Sequence, residues 1–436
     1  MSEFDLLIRG ATPFPEIAIA NGKFVAFEAG TAREEIDASG FHVFPGVIDA
    51  HVHFNEPGRI EWEGIATGSR ACAAGGTTTF FDMPLNAHPP TIDGASFDEK
   101  LRAAEAQSLV DFGLWGGLVP GNLDQLETLR DRGVVGLKAF MSNSGINDFA
   151  NVDWKTLRAG MKRAASCGLL VAVHAESERI TQALSQERIA GGRTSVRDYL
   201  YSRPIEAELS AIRNAISFAA ETGCALHIVH VSCSRGVAAV AAARARGVNV
   251  TCETCPHYLV LTEEDMQRIG ALAKCAPPLR SERERQLLLE RVRAGGISTI
   301  GSDHSPSPPS MKTSANFFEV WGGISGCQHL LPLLIDVGIA PEAIAQLTSQ
   351  NVARRFHIAP QKGAIAIGAD ADFSLVDLQA TQRIAPDSLF YRHRQTPYAG
   401  REVRGRVMRT FLRGQTIFHD GRFSDRPLGQ LIKPNP

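Results

Sequence analysis

Two histidines, one residue apart, close an apolar run: "FHVFPGVIDAHVHFNEPGR" sets His51 and His53 where the chain leaves a buried segment. Side chains at i and i+2 of a strand share a face, so the two imidazoles stand side by side, an arrangement that suits a divalent metal. Two nitrogens do not complete a coordination sphere. Further donors sit at the ends of other apolar runs: Lys138 in "GLKAFMS", His174 in "VAVHAES", His230 in "HIVHVS" and Asp303 in "GSDHS".

These residues need a scaffold that brings distant strand ends to one place. From about residue 40 to 350 a short β-rich run alternates with an amphipathic segment that often ends in Gly. Eight runs can be counted: "FHVFPGVIDAHVHF", "TTTFFDMPL", "DFGLWGGLV", "VVGLKAFMS", "LLVAVHAE", "ALHIVHVS", "NVTCETCPHYL" and "ISTIGSDHS". Segments such as "LRAGMKRAASCG" and "AIRNAISFAAETG" supply the helical spacing between them. The alternation predicts an α/β fold, a (β/α)8 TIM barrel, whose functional residues gather at the C-terminal strand ends. Both flanks read as short strands separated by turns. They predict a small β-sandwich domain built from residues 1–45 and 361–436 around a barrel of residues 46–360.

In that frame four histidines, a lysine and an aspartate converge on one mouth. An ammonium buried among metal-binding imidazoles is repulsive and costly to desolvate. Carbamylation of Lys138 by carbon dioxide resolves the conflict, because N6-carboxylysine is an anion with two oxygens that can bridge two metals. His51, His53, Asp303 and one carbamate oxygen would hold the first metal, and His174, His230 and the other oxygen the second. The donor set favours two zinc ions, with manganese, cobalt or iron as alternatives. Asp303 is the expected catalytic proton shuttle for an attacking hydroxide. His227, three residues before His230, is expected on the opposite strand face, packed against a helix. His257 is expected to support the mouth indirectly, and His304 to point away from it.

Composition narrows the classes. With 45 Lys plus Arg against 47 Asp plus Glu, the formal net charge of −2 gives no basic excess for nucleic acid or a membrane surface. No apolar run is long enough to span a bilayer, and "MSEFDLLIRG" lacks the pattern of a secretory signal, so the expected location is cytoplasmic. Eight cysteines scattered through apolar segments fit reduced, buried thiols. Cys252 and Cys255 form a lone CxxC and read as core residues.

The same motifs, in order and over essentially the whole chain, resemble the cyclic amidase branch of the amidohydrolase superfamily: "PGVIDAHVHF", "AGGTTTFFDMP", "GLKAF", "VAVHAE", "HIVHVS", "CETCPHYL", "APPLR", "GSDHSP" and "GADADFSLVD". That resemblance implies a barrel with a β-sandwich, a binuclear centre on a carboxylated lysine, hydrolysis of a cyclic amide, and a homotetramer. Departures narrow the substrate. Asn55 stands where dihydroorotases resemble one another in an arginine that binds a carboxylate. Asn143 stands where hydantoinases (dihydropyrimidinases) have a tyrosine that acts on the substrate carbonyl. "HFNEPGR", "EWEG", "DMPLN", "KCAPPLR" and "NFFEVWGGISG" are similar to the allantoinases, which implies opening of allantoin to allantoate, with a hydantoinase or a non-catalytic scaffold relative as alternatives. Allantoin is small, neutral and dense in donors and acceptors. Asn55, Asn86 and backbone groups near Cys275 and Gly323 are the expected substrate contacts. The segment from His304 to Gly323 reads as a lid or a rigid surface loop.

Overall fold

Each of the eight runs forms a strand in the computed structural model, which describes residues 4–435. They are β1 (Val47–Val52), β2 (Thr77–Asp82), β3 (Asp111–Leu114, resumed at Gly116–Gly117), β4 (Leu137–Phe140), β5 (Val171–His174), β6 (Leu226–Ile228), β7 (Val250–Thr254) and β8 (Thr299–Ile300). Neighbours pair in parallel and in sequence order. The ring closes where Val52 bridges His304 and the Ser302 amide donates to Asp49 Oδ1 at 2.9 Å. The fold is a (β/α)8 barrel.

Helices between the strands begin and end where the sequence signals it. Asp93 caps Gly94–Gln107 through a capping box with Ser96, and Asp153 caps Trp154–Ser166 by accepting the Thr156 amide at 2.7 Å. Ile205–Thr222 ends at Gly223, whose φ of 72° is the left-handed cap that glycine adopts without strain. Inside the ring, Ile48, Ala50, Phe81, Trp115, Ala172 and Val229 come from five different strands of the barrel wall or their ends and pack with Val352 and Phe356 from the last barrel helix and its end. That cluster makes the barrel a packed core and leaves only its C-terminal end open to chemistry.

The flanking strands form two sheets. Phe4–Arg9, Glu16–Ala20, Lys23–Ala26 and Ala32–Asp37 make one, and His42–Pro45 joins Phe373–Arg383, Glu402–Leu412, Gln415–His419 and Arg422–Phe423 in the other. Ile8, Ile17 and Phe24 of the first sheet share an apolar core with Val43, Phe373 and Phe411 of the second. Two stretches of the C-terminal part pack on the barrel instead. Tyr391 and Tyr398 belong to the barrel's own apolar cluster, and Leu431 bridges Phe112.

Candidate metal centre and active site

β1 does not alternate simply along its length. Asp49 pairs with Phe80 but Val52 with Asp82, so three residues span what two span opposite, and this bulge changes the strand's phase. Ile48 and Ala50 therefore pack in the interior cluster while His51 and His53 line the mouth. Strain gathers at the same level. His230 and Asp303 follow their strands at φ 40° and 48°, and Asn55 and Asn86 sit at 63° and 69°. Non-glycine residues adopt this region only when their surroundings fix them.

The six expected donors do meet. His51 Nε2 and His53 Nε2 lie 3.2 and 3.5 Å from Asp303 Oδ1, and His174 Nδ1 lies 3.1 Å from His230 Nε2. Tetrahedral donors about 2.0–2.1 Å from zinc stand roughly 3.3 Å apart, so these separations are of the size that shared coordination of a divalent metal requires. The tautomers agree with that use. Glu253 Oε1 at 2.8 Å fixes the Nδ1 proton of His51, and Glu176 Oε2 at 2.9 Å fixes the Nε2 proton of His174. Each ring then turns a bare lone pair toward the other donors, which without a cation would repel it.

Lys138 completes the set. It is fully buried, its Nζ has no hydrogen-bond partner, and burial pushes its amine down to about 8 despite Asp303 and Glu253 nearby. An orphaned, weakly basic amine between two donor pairs is what carbamylation requires, since the neutral amine is the nucleophile that takes up carbon dioxide. Burial, with Lys138 adding to it, keeps His230 well below its usual range and therefore neutral. Burial alone would raise Asp303, but the imidazoles of His51, His53 and His230 hold it well below the carboxylate range. The residues present thus fit a pair of divalent metals.

The cleft above them, about 90 Å³, is lined by these six residues together with Leu85, Asn86, Phe140, Asn143, Ser144, Cys275, Ala276, Ser305, Trp321, Gly322 and Gly323. Of the expected substrate contacts, Asn86, Cys275 and Gly323 line it. Asn55 does not: its side chain is buried with Nδ2 3.5 Å from the Pro306 carbonyl. Asn86 also places its Nδ2 3.4 Å from His53 Nδ1. The backbone of Gly323 is already engaged, its N–H donating to Lys274 O at 2.8 Å and its carbonyl accepting from Lys312. Gly322 is the roof residue whose peptide groups make no hydrogen bond among the described residues.

His227 departs from expectation. It faces inward, accepting or donating at Thr251 Oγ1 2.7 Å away and lying 3.9 Å from Glu253 Oε2. Counting back from His230 fails because His230 lies past the strand at a positive φ, so strict alternation does not connect the two. His257 is buried, pushed down to about 4 by desolvation, and lies outside the cleft lining; His304 points away as expected, toward Phe54, Tyr391 and Glu63. Glu253, Glu176 and its partner Arg203 escaped the sequence reading, although acids inside "TCETC" and "VAVHAES" are the signal that marks them. Burial would raise Glu176, but Arg203 and His174 together outweigh it and hold the carboxyl down to about 2.

Comparisons with known proteins give the chain a family. Residues 42–417 match the model of the amidohydrolase family. The chain is 56% identical to an allantoinase of Rubrobacter xylanophilus, covering 100% of this chain and 98% of that protein, and 50% identical to one of Deinococcus radiodurans over 99% of both. Among solved structures it resembles the L-hydantoinase (dihydropyrimidinase) of Arthrobacter aurescens, with a TM-score of 0.96 and 32% identity over 99% of this chain and 100% of that one. The dihydropyrimidinase of Brevibacillus agri gives 0.90 and 30% over 98% of each. With metal donors on the expected strand ends and a family match across most of its length, the chain belongs to the amidohydrolase family.

Proposed function

We propose that the protein is a metal-dependent cyclic amide hydrolase that opens the hydantoin ring of allantoin to give allantoate. The observation that carries the chemistry is the pair of donor groups meeting beside the orphaned Lys138 amine. His51, His53 and Asp303 would hold one divalent metal, His174 and His230 the other, and carboxylated Lys138 both. When bound, such a pair supplies Lewis acidity that lowers the pKa of water and polarises a carbonyl. Asp303 Oδ accepts the proton that the attacking water gives up, and returns it to the ring nitrogen as the C–N bond breaks. Burial of the donor residues keeps bulk water from competing for them.

The substrate assignment is supported by the full-length likeness to allantoinases and by the lining of the cleft. No arginine lines it, which disfavours a substrate carboxylate such as that of dihydroorotate, and Asn143 lines it at the position where the sequence resemblance to hydantoinases implies a tyrosine. Amides, hydroxyls and free peptide groups suit a neutral ureide. Among the described residues no helix is long and apolar enough to cross a membrane, and all eight cysteines are buried free thiols, in keeping with a cytoplasmic enzyme. A homotetramer is the assembly to test by light scattering.

The deciding experiment combines metal analysis with ring-opening assays on allantoin, hydantoin, dihydrouracil and dihydroorotate. About two metals per chain and preferred turnover of allantoin are expected. Preferred turnover of hydantoin would move the function to a hydantoinase, and absence of both metal and turnover would leave a scaffold protein.

A further inference from the structure

Two lysines outside the metal centre have no part in the chemistry above. Lys274 is 4% exposed, and its Nζ donates to the carbonyls of Phe317, at 2.6 Å, Phe318, at 3.2 Å, and Val320. Lys312 donates to those of Trp321, at 2.8 Å, Gly323, at 2.9 Å, and Ala271, at 3.2 Å. Five carbonyls of the seven-residue segment 317–323 are thus gathered on two amines. Neither amine has a carboxylate partner among the described ion pairs. Burial would push each down to about 7, helped for Lys274 by Arg203 and Lys312, but three carbonyl oxygens need three N–H donors, and only the ammonium has them. Two cations whose hydrogen bonds all go to peptide oxygens impose one path on the segment, because any other path leaves buried N–H donors unpaired.

The segment they fix is the roof of the cleft. Trp321, Gly322 and Gly323 line it, and Trp321 packs edge-on against Trp62 with ring centroids 4.8 Å apart. The seat is close: a Cβ on Gly323 would fall 2.2 Å from the Ser305 carbonyl oxygen. Lys274 adjoins Cys275 and Ala276, which also line the cleft, and Tyr199 both stacks under the Lys274 amine at 4.7 Å and donates to Cys275 O at 2.9 Å. The same clasp therefore ties together two segments that line the cleft, 274–276 and 321–323.

We propose that Lys274 and Lys312 are positioning residues that set the depth of the substrate cleft, holding the Gly322 peptide and the Trp321 side chain where a neutral cyclic amide is gripped. The proposal rests on the ring-opening activity for its substrate, but the clasp itself can be read without one.

The test uses Lys274→Met and Lys312→Met, with Lys312→Arg as the charged control, in the full metal-loaded protein. Hydrogen exchange on the substrate-free protein reads the clasp. The amides of Trp321 and Gly323 should lose at least tenfold protection in the Met variants while those of β4 keep theirs, and Lys312→Arg should recover most of it. Kinetics with allantoin read the consequence: KM should rise tenfold or more with kcat within about twofold, since the metal donors are untouched. Lys312 sits half-buried on the short 3-10 turn Pro309–Lys312, so its Met variant serves if Lys274→Met fails to fold. Unchanged exchange at Trp321 and Gly323 would overturn the clasp, and increased exchange with unchanged KM would overturn its role in binding. Should the wild-type protein open no cyclic amide, the activity reading fails while the exchange result still decides the clasp.

Discussion

Glu253 illustrates how much a donor set depends on residues that never touch a metal. Its carboxylate is buried and held down to about 2, burial opposing and His51 and His227 prevailing, and it orients His51 at 2.8 Å. Glu253→Gln keeps the shape but removes the charge that fixes the tautomer. Metal affinity should fall about 10–100-fold, as titration of the metal-stripped protein with zinc would reveal, while the fold persists. Glu63 makes a different statement at the same scale. It is fully buried, its carboxylate accepts the Arg392 amide at 3.1 Å, and the nearest ring, His304, is held neutral by burial, down to about 3. Burial pushes Glu63 up to about 8. A carboxyl whose pKa is higher folded than unfolded binds its proton more tightly in the native state, so its stabilisation is complete below the unfolded pKa and is lost as pH rises through the folded one. Between pH 6 and 8 the parent should lose about 2 kcal/mol that Glu63→Gln does not lose. Parallel urea titrations at the two pH values would show the gap, and identical pH slopes would refute the assignment.

The elements show where sequence reasoning works. All eight strands were legible, because a run of buried apolar residues bounded by turns and followed by an amphipathic helix is a local signal. The candidate metal donors were legible for the same reason: the C-terminal end of a barrel strand can be located from the strand alone. His227, Asn55 and the roof were not, because the positive φ of His230 and of Asn55 and a clasp of peptide carbonyls are set by contacts between distant segments. Trp115 belongs with these. It interrupts β3 between Leu114 and Gly116, and its indole crosses the barrel interior to donate to Ala50 O at 3.0 Å, directly behind His51. Trp115→Phe strands that carbonyl and leaves a void against Phe356. A loss of at least about 2 kcal/mol in unfolding free energy is expected, measured by chemical denaturation. A loss below half that would mean the carbonyl finds another donor and the indole is not what pins β1.

At the scale of the whole molecule, a buried cluster of charges joins the barrel to the terminal sheets. Lys362 Nζ lies 2.5 Å from Asp111 of β3, 2.6 Å from Asp372 and 2.9 Å from Asp370. Arg413, just past Glu402–Leu412, adds a second cation on Asp111, and the Gln430 amide donates to the same carboxylate at 2.8 Å. The three carboxylates are close enough together to hold a metal ion, but the Lys362 ammonium already lies among them and supplies the balancing charge. Burial would lower that ammonium; the carboxylates more than offset it and hold it above its usual range. The cluster ties one barrel strand to segments from 361–372, 413 and 430, so its energy is shared by both parts of the fold. Lys362→Met strips the shared cation and leaves buried carboxylates with Arg413 and Lys23 as their remaining cations. Removing one partner of a buried ionic group typically costs about 3–5 kcal/mol, so calorimetry should show a clearly lower Tm. The metal donors are untouched, and kcat/KM at 25 °C should stay within about twofold of the parent. An unchanged Tm would mean that apolar packing between the sheets and the barrel, rather than this buried charge, holds the two together.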